Sequence, residues 1–150
     1  MKDKHKQYLF MILMIFWTAF IWHNSLAPRV ESNAQSGQVL AIINNILEHL
    51  NHLHVSEFLV RKAAHMFEFF VLAILWLSIF FLQNRRCTKK EILLAFLCTA
   101  IVAMIDETIQ LHVPGRSGEV RDVLVDCTGA AIGLLIFMGG YHLMKRRVGA

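Results

Sequence analysis

Apolar residues run almost without interruption over residues 8–27, 58–82, 92–111 and 123–144. Each run approaches the roughly 20 residues that an α-helix needs to cross a hydrocarbon core of about 30 Å. The pattern therefore predicts four transmembrane helices. Between the first and second runs the rhythm changes. Val39, Ile42, Ile43, Ile46, Leu47 and Leu50 recur at helical spacing on one face. Residues 38–53 are too few and too polar to span, and they predict an amphipathic helix lying along the headgroups. Residues 32–37 read as loop. The expected fold is all-α, a polytopic membrane protein with four transmembrane helices and an interfacial amphipathic helix in the first outer loop, with residues 1–150 as one domain.

Composition sharpens this picture. The chain is 56% hydrophobic and 17% charged, which is too apolar for an ordinary soluble domain. Lys2, Lys4 and Lys6, the first apolar run and Ser25-Leu26-Ala27 together resemble a cleavable leader. Pro28, directly after that site, and the bulky Phe16, Trp17, Phe20 and Trp22 argue for a retained helix. Cys87, Cys98 and Cys127 are odd in number and scattered, so they suggest neither a disulfide framework nor a zinc knuckle. Cys98 and Cys127 read as small packing residues.

The net charge is +4, but the location of the basic residues is more telling than their sum. They stand at segment ends and form no basic domain, so nucleic acid is excluded as a partner. The N-terminus, residues 85–90 and the C-terminus hold ten Lys/Arg, against Arg29, Arg61, Lys62, Arg116 and Arg121 on the other side. That excess predicts a multi-pass cell-membrane protein with both termini cytoplasmic.

The chemistry sits where polar residues invade the spans. Arg61, His65, Glu68 and Leu72 share one face of the second span. Asp106 and Gln110 share a face with Ala103 and Thr99, and Glu107 points about 100° away. Asp122, Asp126, Gly129 and Gly133 share a face of the fourth span, where Gly129-x-x-x-Gly133 permits close helix approach. With the predicted topology all these groups lie at one depth, near the outer surface. Three spans thus turn polar stripes toward one outward-opening pocket. Ionisable groups there are costly in lipid and ask for a function or for partners. A purely structural network of ion pairs is the alternative, although desolvation makes such pairs poor stabilisers. His49, His52 and His54 read as a solvated polar face, His112 and Glu119 as loop residues, and Pro114 and Gly115 as turn formers.

At these residues the chain resembles the VanZ-like family of small membrane proteins. The matching pieces are Arg61-Lys62-x-x-His65-x-x-Glu68, Asp106-Glu107-x-x-Gln110, Pro114-Gly115-Arg116 and Asp122-x-x-x-Asp126-x-x-Gly129-x-x-x-Gly133. The resemblance covers residues 8–144. It departs at Asp126, where the family often carries Asn. It implies a polytopic membrane protein linked in name to glycopeptide resistance, in particular to teicoplanin.

Three functions fit the pocket. The preferred one is binding or modification of an anionic membrane lipid or a lipid-linked envelope precursor. Arg61, Lys62, Arg116 and Arg121 would supply donors to phosphate or carboxylate, with Glu107, Gln110 and Asp126 completing the binding set. The second is an intramembrane hydrolase or phosphoryl-transfer enzyme. His65, Glu68, Asp106 and Asp122 would serve as catalytic acids and bases there, and the carboxylates suit a divalent ion such as Mg²⁺ or Mn²⁺. The third is a proton-coupled carrier. The pattern names no cofactor and fixes no oligomeric state.

The orientation has a direct check. A single cysteine placed beyond Arg147 should react with a membrane-impermeant maleimide only after the cells are opened. Labelling of intact cells would reverse the topology.

Overall fold

The computed structural model describes the backbone of residues 2–51 and 55–148, with side chains at all of these except 2, 3, 31, 33, 35, 36, 47–51 and 148. Among the described residues the chain forms helices α1 (Lys2–Leu26), α2 (Arg29–Asn51), α3 (Glu57–Asn84), α4 (Lys89–Gln110) and α5 (Val120–Val148), and no strands. Four of them, α1, α3, α4 and α5, are long and apolar enough to cross a membrane. These are the four runs expected from the sequence.

Residues 32–37 differ from expectation, because they are helical rather than loop. Helix α2 starts at Arg29, with the Pro28 carbonyl accepting from the Ser32 N–H at 3.0 Å. Ser and Gln here carry only modest helix penalties, and Gly37 alone costs about 1 kcal/mol against alanine. Clustered polar residues signal a turn only when nothing nearby extends a helix through them. Here the apolar stretch Gly37–Ile46 continues the same helix. Its Val39, Ile42 and Ile46 stay exposed, an apolar face of the kind that beds into a membrane interface. The side chains of Leu47, His49 and Leu50, and all of His52 and His54, lie outside the described residues.

The connections are fixed by local hydrogen bonds. Ser56 caps α3 by accepting from the Leu59 N–H at 3.3 Å. Just before it, Val55 is held to α2, its N–H donating to Asn44 Oδ1 at 2.8 Å and its carbonyl accepting from Asn44 Nδ2 at 3.3 Å. Thr88 opens α4 in a capping box with Glu91, whose Oε2 accepts from the Thr88 N–H at 2.9 Å. Glu91 Oε1 also accepts from Asn84 Nδ2 at 3.1 Å, locking the α3–α4 hairpin.

Helix α3 is the hub, packing against α1, α2, α4 and α5, while α4 also touches α1 and α5. The core has two parts. Ile21, Phe69, Leu72, Val102 and Ala103 join α1, α3 and α4 near the site end. Ala73, Leu77, Ala95, Ala130 and Leu134 join α3, α4 and α5 toward the opposite end. All three cysteines are free and half-buried.

The α3–α5 seam is the tightest in the fold. A Cβ added at Gly129 would collide with the Met66 carbonyl oxygen and stand 2.9 Å from the Met66 carbonyl carbon. One added at Gly133 would sit 2.6 Å from the Phe70 carbonyl oxygen. Both obstacles are backbone, so no side chain can swing away. Gly129→Leu should therefore force α5 off α3 and cost more than about 2 kcal/mol. Gly139→Leu, at a glycine with open space around it, should be nearly silent. Thermal unfolding of the two variants in detergent checks the contrast.

Candidate functional site

The antiparallel run of the spans brings the last residues of α1 and α4 to the same end of the bundle as the first residues of α3 and α5. Two layers of polar residues form there. The outer layer is an open cleft of about 640 Å³. Arg29, Arg61, Lys62, Arg116 and Arg121 line it, against the carboxylates of Glu119 and Asp122, with His65, Gln110 and apolar Phe58, Met66 and Val125 completing the wall.

Of these charges, Lys62 and Asp122 face each other as an ion pair between α3 and α5. Arg116 donates to the Asn24 carbonyl at 3.0 Å, so it reaches across to the end of α1. Partial burial pushes the Arg116 guanidinium below its ordinary pKa, while the nearby Asp106 charge pulls it back up. The group remains cationic. Arg29 donates to the Gly115 carbonyl at 3.3 Å, tying α2 to the α4–α5 connection. Gly115 has φ +77°, a conformation glycine adopts at little cost, and its turn brings Arg116 back toward α1.

The inner layer is buried. Asp106 is fully enclosed, and its Oδ2 accepts from Ser25 Oγ at 2.8 Å and from Gln110 Nε2 at 2.9 Å. Gln110 Nε2 also donates to Ser25 Oγ at 3.2 Å, closing a three-membered ring of α1 and α4 side chains. Glu68 Oε1 accepts from Asn24 Nδ2 at 2.8 Å, and its Oε2 lies 3.8 Å from His65 Nδ1. The Trp17 indole N–H donates to the Glu68 carbonyl at 2.8 Å. Glu107 points to a different partner from Asp106. Its Oε2 accepts at 2.9 Å from the Glu119 backbone N–H, immediately before α5, which fixes where α5 begins. Gly118 makes that approach feasible, since a Cβ there would collide with the Glu107 carbonyl oxygen.

Asp126 lies apart from the cleft wall. It is 1% exposed, and neither carboxylate oxygen has a hydrogen-bond partner among the described residues. Asp106 Oδ1 is in the same condition. The carboxylates of Asp106, Glu107, Asp122 and Glu68 are among the charged groups around Asp126.

The structure thus separates the sequence-derived candidates. Arg61, Lys62, His65, Gln110, Arg116, Arg121 and Asp122 line the cleft, while Glu68, Asp106, Glu107 and Asp126 do not. Glu119, read from the sequence as a loop residue, is part of the wall. The polar end draws on more than the three spans expected, with α2 reaching the cleft and α1 the buried layer. Helix α1 contributes Asn24 and Ser25, and α2 contributes Arg29. The signal for α1 was present as a polar Asn24-Ser25 pair closing an apolar helix, at the end of the bundle where the acids gather. Among the described residues no three His, Cys, Asp or Glu side chains converge as a metal ion would need.

A four-span bundle gathering buried carboxylates beneath a cationic cleft defines a polytopic membrane protein with its polar residues concentrated at one end. The chain matches the VanZ/LLP1 family over residues 10–144, and it belongs to that family. Over 96 residues, 63% of this chain, it is 35% identical to an uncharacterized membrane protein, YwnJ, of Bacillus subtilis (strain 168). That match takes in 58% of the relative's length. No solved structure matches the chain.

The ring around Asp106 makes a stability prediction. Ser25→Ala removes one of the two donors to a buried carboxylate, and a loss of about 1–3 kcal/mol is expected. Adding Gln110→Ala should cost less than the sum of the single changes, since the two side chains share one network. Denaturant unfolding in detergent measures both.

Proposed function

We propose that the cleft binds an anionic, phosphate-bearing component of the cell envelope, a lipid headgroup or a lipid-linked precursor. The observation that carries this reading is the convergence of five cationic side chains from α2, α3, the α4–α5 connection and α5 on one open cleft that holds two carboxylates. Guanidinium groups suit phosphate because their planar forks donate two parallel hydrogen bonds. Within the wall, Lys62 pairs with Asp122. The acids of the inner layer have a different part in this reading. Glu68, Asp106 and Glu107 hold α1, the connection and the start of α5 in place, and so set where the cations stand.

The cleft in this reading opens outward, with both termini in the cytoplasm. The ten-to-five bias of basic residues supports that orientation. The cleft would then meet headgroups of the outer leaflet and precursors already carried across the membrane. A contribution to glycopeptide resistance, teicoplanin above all, is the physiological role that such a site would serve. It would show as a raised inhibitory concentration of teicoplanin on expression of the chain.

Phosphatidylglycerol binding to the purified protein in detergent, read by native mass spectrometry, tests the proposal. Arg61→Gln and Arg121→Gln should each weaken binding about tenfold or more, since a hydrogen bond to a charged group is worth about 1.5–3 kcal/mol. Raising the salt should weaken the wild-type protein as well. Equal binding by wild type and both variants would remove the cleft as the site.

A further inference from the structure

The wall of the cleft does not stop where the cations stop. On α3, Phe58, Lys62 and Met66 follow each other at four-residue spacing along one face and line the cleft. Phe70 continues the row one turn deeper. There Met66, Phe67 and Phe70 line a second, smaller hollow of about 260 Å³. The row on α5 runs in parallel. Asp122 and Val125 line the cleft, and Gly129 and Ile132 line the hollow. The two spaces therefore lie end to end along the α3–α5 seam and share Met66. From Lys62 to Phe70 the helix advances about 12 Å at 1.5 Å per residue.

Their chemistry is opposite. The outer space is cationic. The inner one is walled by a thioether, two aromatic rings, an isoleucine and a glycine, and it lies at the depth of the spanning segments. Phe67 is 59% exposed and Ile132 40%, so this slot opens sideways, toward lipid. Gly129 closes its floor, where α5 meets the Met66 backbone of α3 directly.

Resting on the reading of the cleft as an anion site, we infer that its occupant is an anionic glycerophospholipid. The phosphate would stand among Arg61, Lys62 and Arg121, and one acyl chain would lie in the slot on the lipid-facing side of the α3–α5 seam. A water-soluble phosphate satisfies the cations and leaves the slot unused. A phospholipid matches both, in the right order along the membrane normal. The slot fixes the direction of the chain, and the cleft fixes the depth of the headgroup.

The test uses the full chain in detergent micelles and phosphatidylglycerol with a diazirine at mid-chain. After illumination, adducts should concentrate on Met66, Phe67, Phe70 and Ile132, and fall at least fivefold in Arg61→Gln and Arg121→Gln. Adducts spread evenly over other lipid-facing residues such as Leu94 and Leu135 would overturn the inference. So would slot adducts that ignore the arginine substitutions. Glycerol phosphate, which has no chain, separates the two claims by calorimetry. If its binding depends on Arg121 while the diazirine lipid labels at random, the cleft reading stands and the slot falls. If neither probe responds to Arg61 or Arg121, the cleft reading itself fails. In Ile132→Trp, which fills the slot, the preference for phosphatidylglycerol over glycerol phosphate should drop about tenfold, and an unchanged preference would count against the slot.

Discussion

A carboxylate buried in the end of an apolar bundle needs donors, and in this chain most of those donors come from other segments. Asp106 on α4 is met by Ser25 of α1, Glu68 on α3 by Asn24 of α1, and Glu107 on α4 by the backbone just ahead of α5. Within lipid there is little apolar driving force to choose between helix partners, because acyl chains are as apolar as leucine. Polar complementarity and close packing have to make that choice. The acids at one end of the bundle decide which helices meet, and the glycines of α5 decide how closely. The arginines are then carried on a frame that other residues have already fixed.

That division explains why the polar end has two layers. Inner groups are short, enclosed and paired across helices, whereas outer groups are long cationic side chains around an open space. Long cations can keep their heads near water while their stems run along apolar wall, here beside Phe58 and Val125. Asp126 stands outside both arrangements. It lies on the α5 row that leads down to Gly129, enclosed and without a donor among the described residues. Leaving a buried polar group unpaired carries a cost of at least about 1–3 kcal/mol. Ordinary packing has no use for such a group, so Asp126 stands out among the acids of the spans.

Much of this was legible without coordinates. Length and apolarity alone define a spanning helix, and the four spans follow from that single constraint. Helical periodicity set Asp106, Gln110, Ala103 and Thr99 on one face, and all four are buried. The Gly129 and Gly133 pair marked the face that meets α3, because only a missing side chain allows backbone to approach so near. Residues 32–37 misled for an equally local reason. Polar composition signals a turn only on average, and a helix started by Pro28 ran through it.

The partners had to come from tertiary structure. Nothing in the spacing of α1 says that Asn24 and Ser25 will face α3 and α4, since a helix with so few polar residues gives weak rotational bearings. Arg29 reached the cleft only because α2 folds back over α3. The separation of lining residues from buried ones was equally invisible, as Asp122 and Asp126 are one turn apart and differ only in what packs over them. Sequence by itself determined the spans, their buried faces and the end at which charge collects, because each depends on local periodicity and transfer cost. Which donor meets which acid, and which cation is left facing an open cleft, depends on contacts between segments far apart in the chain, and only the packed bundle decided them.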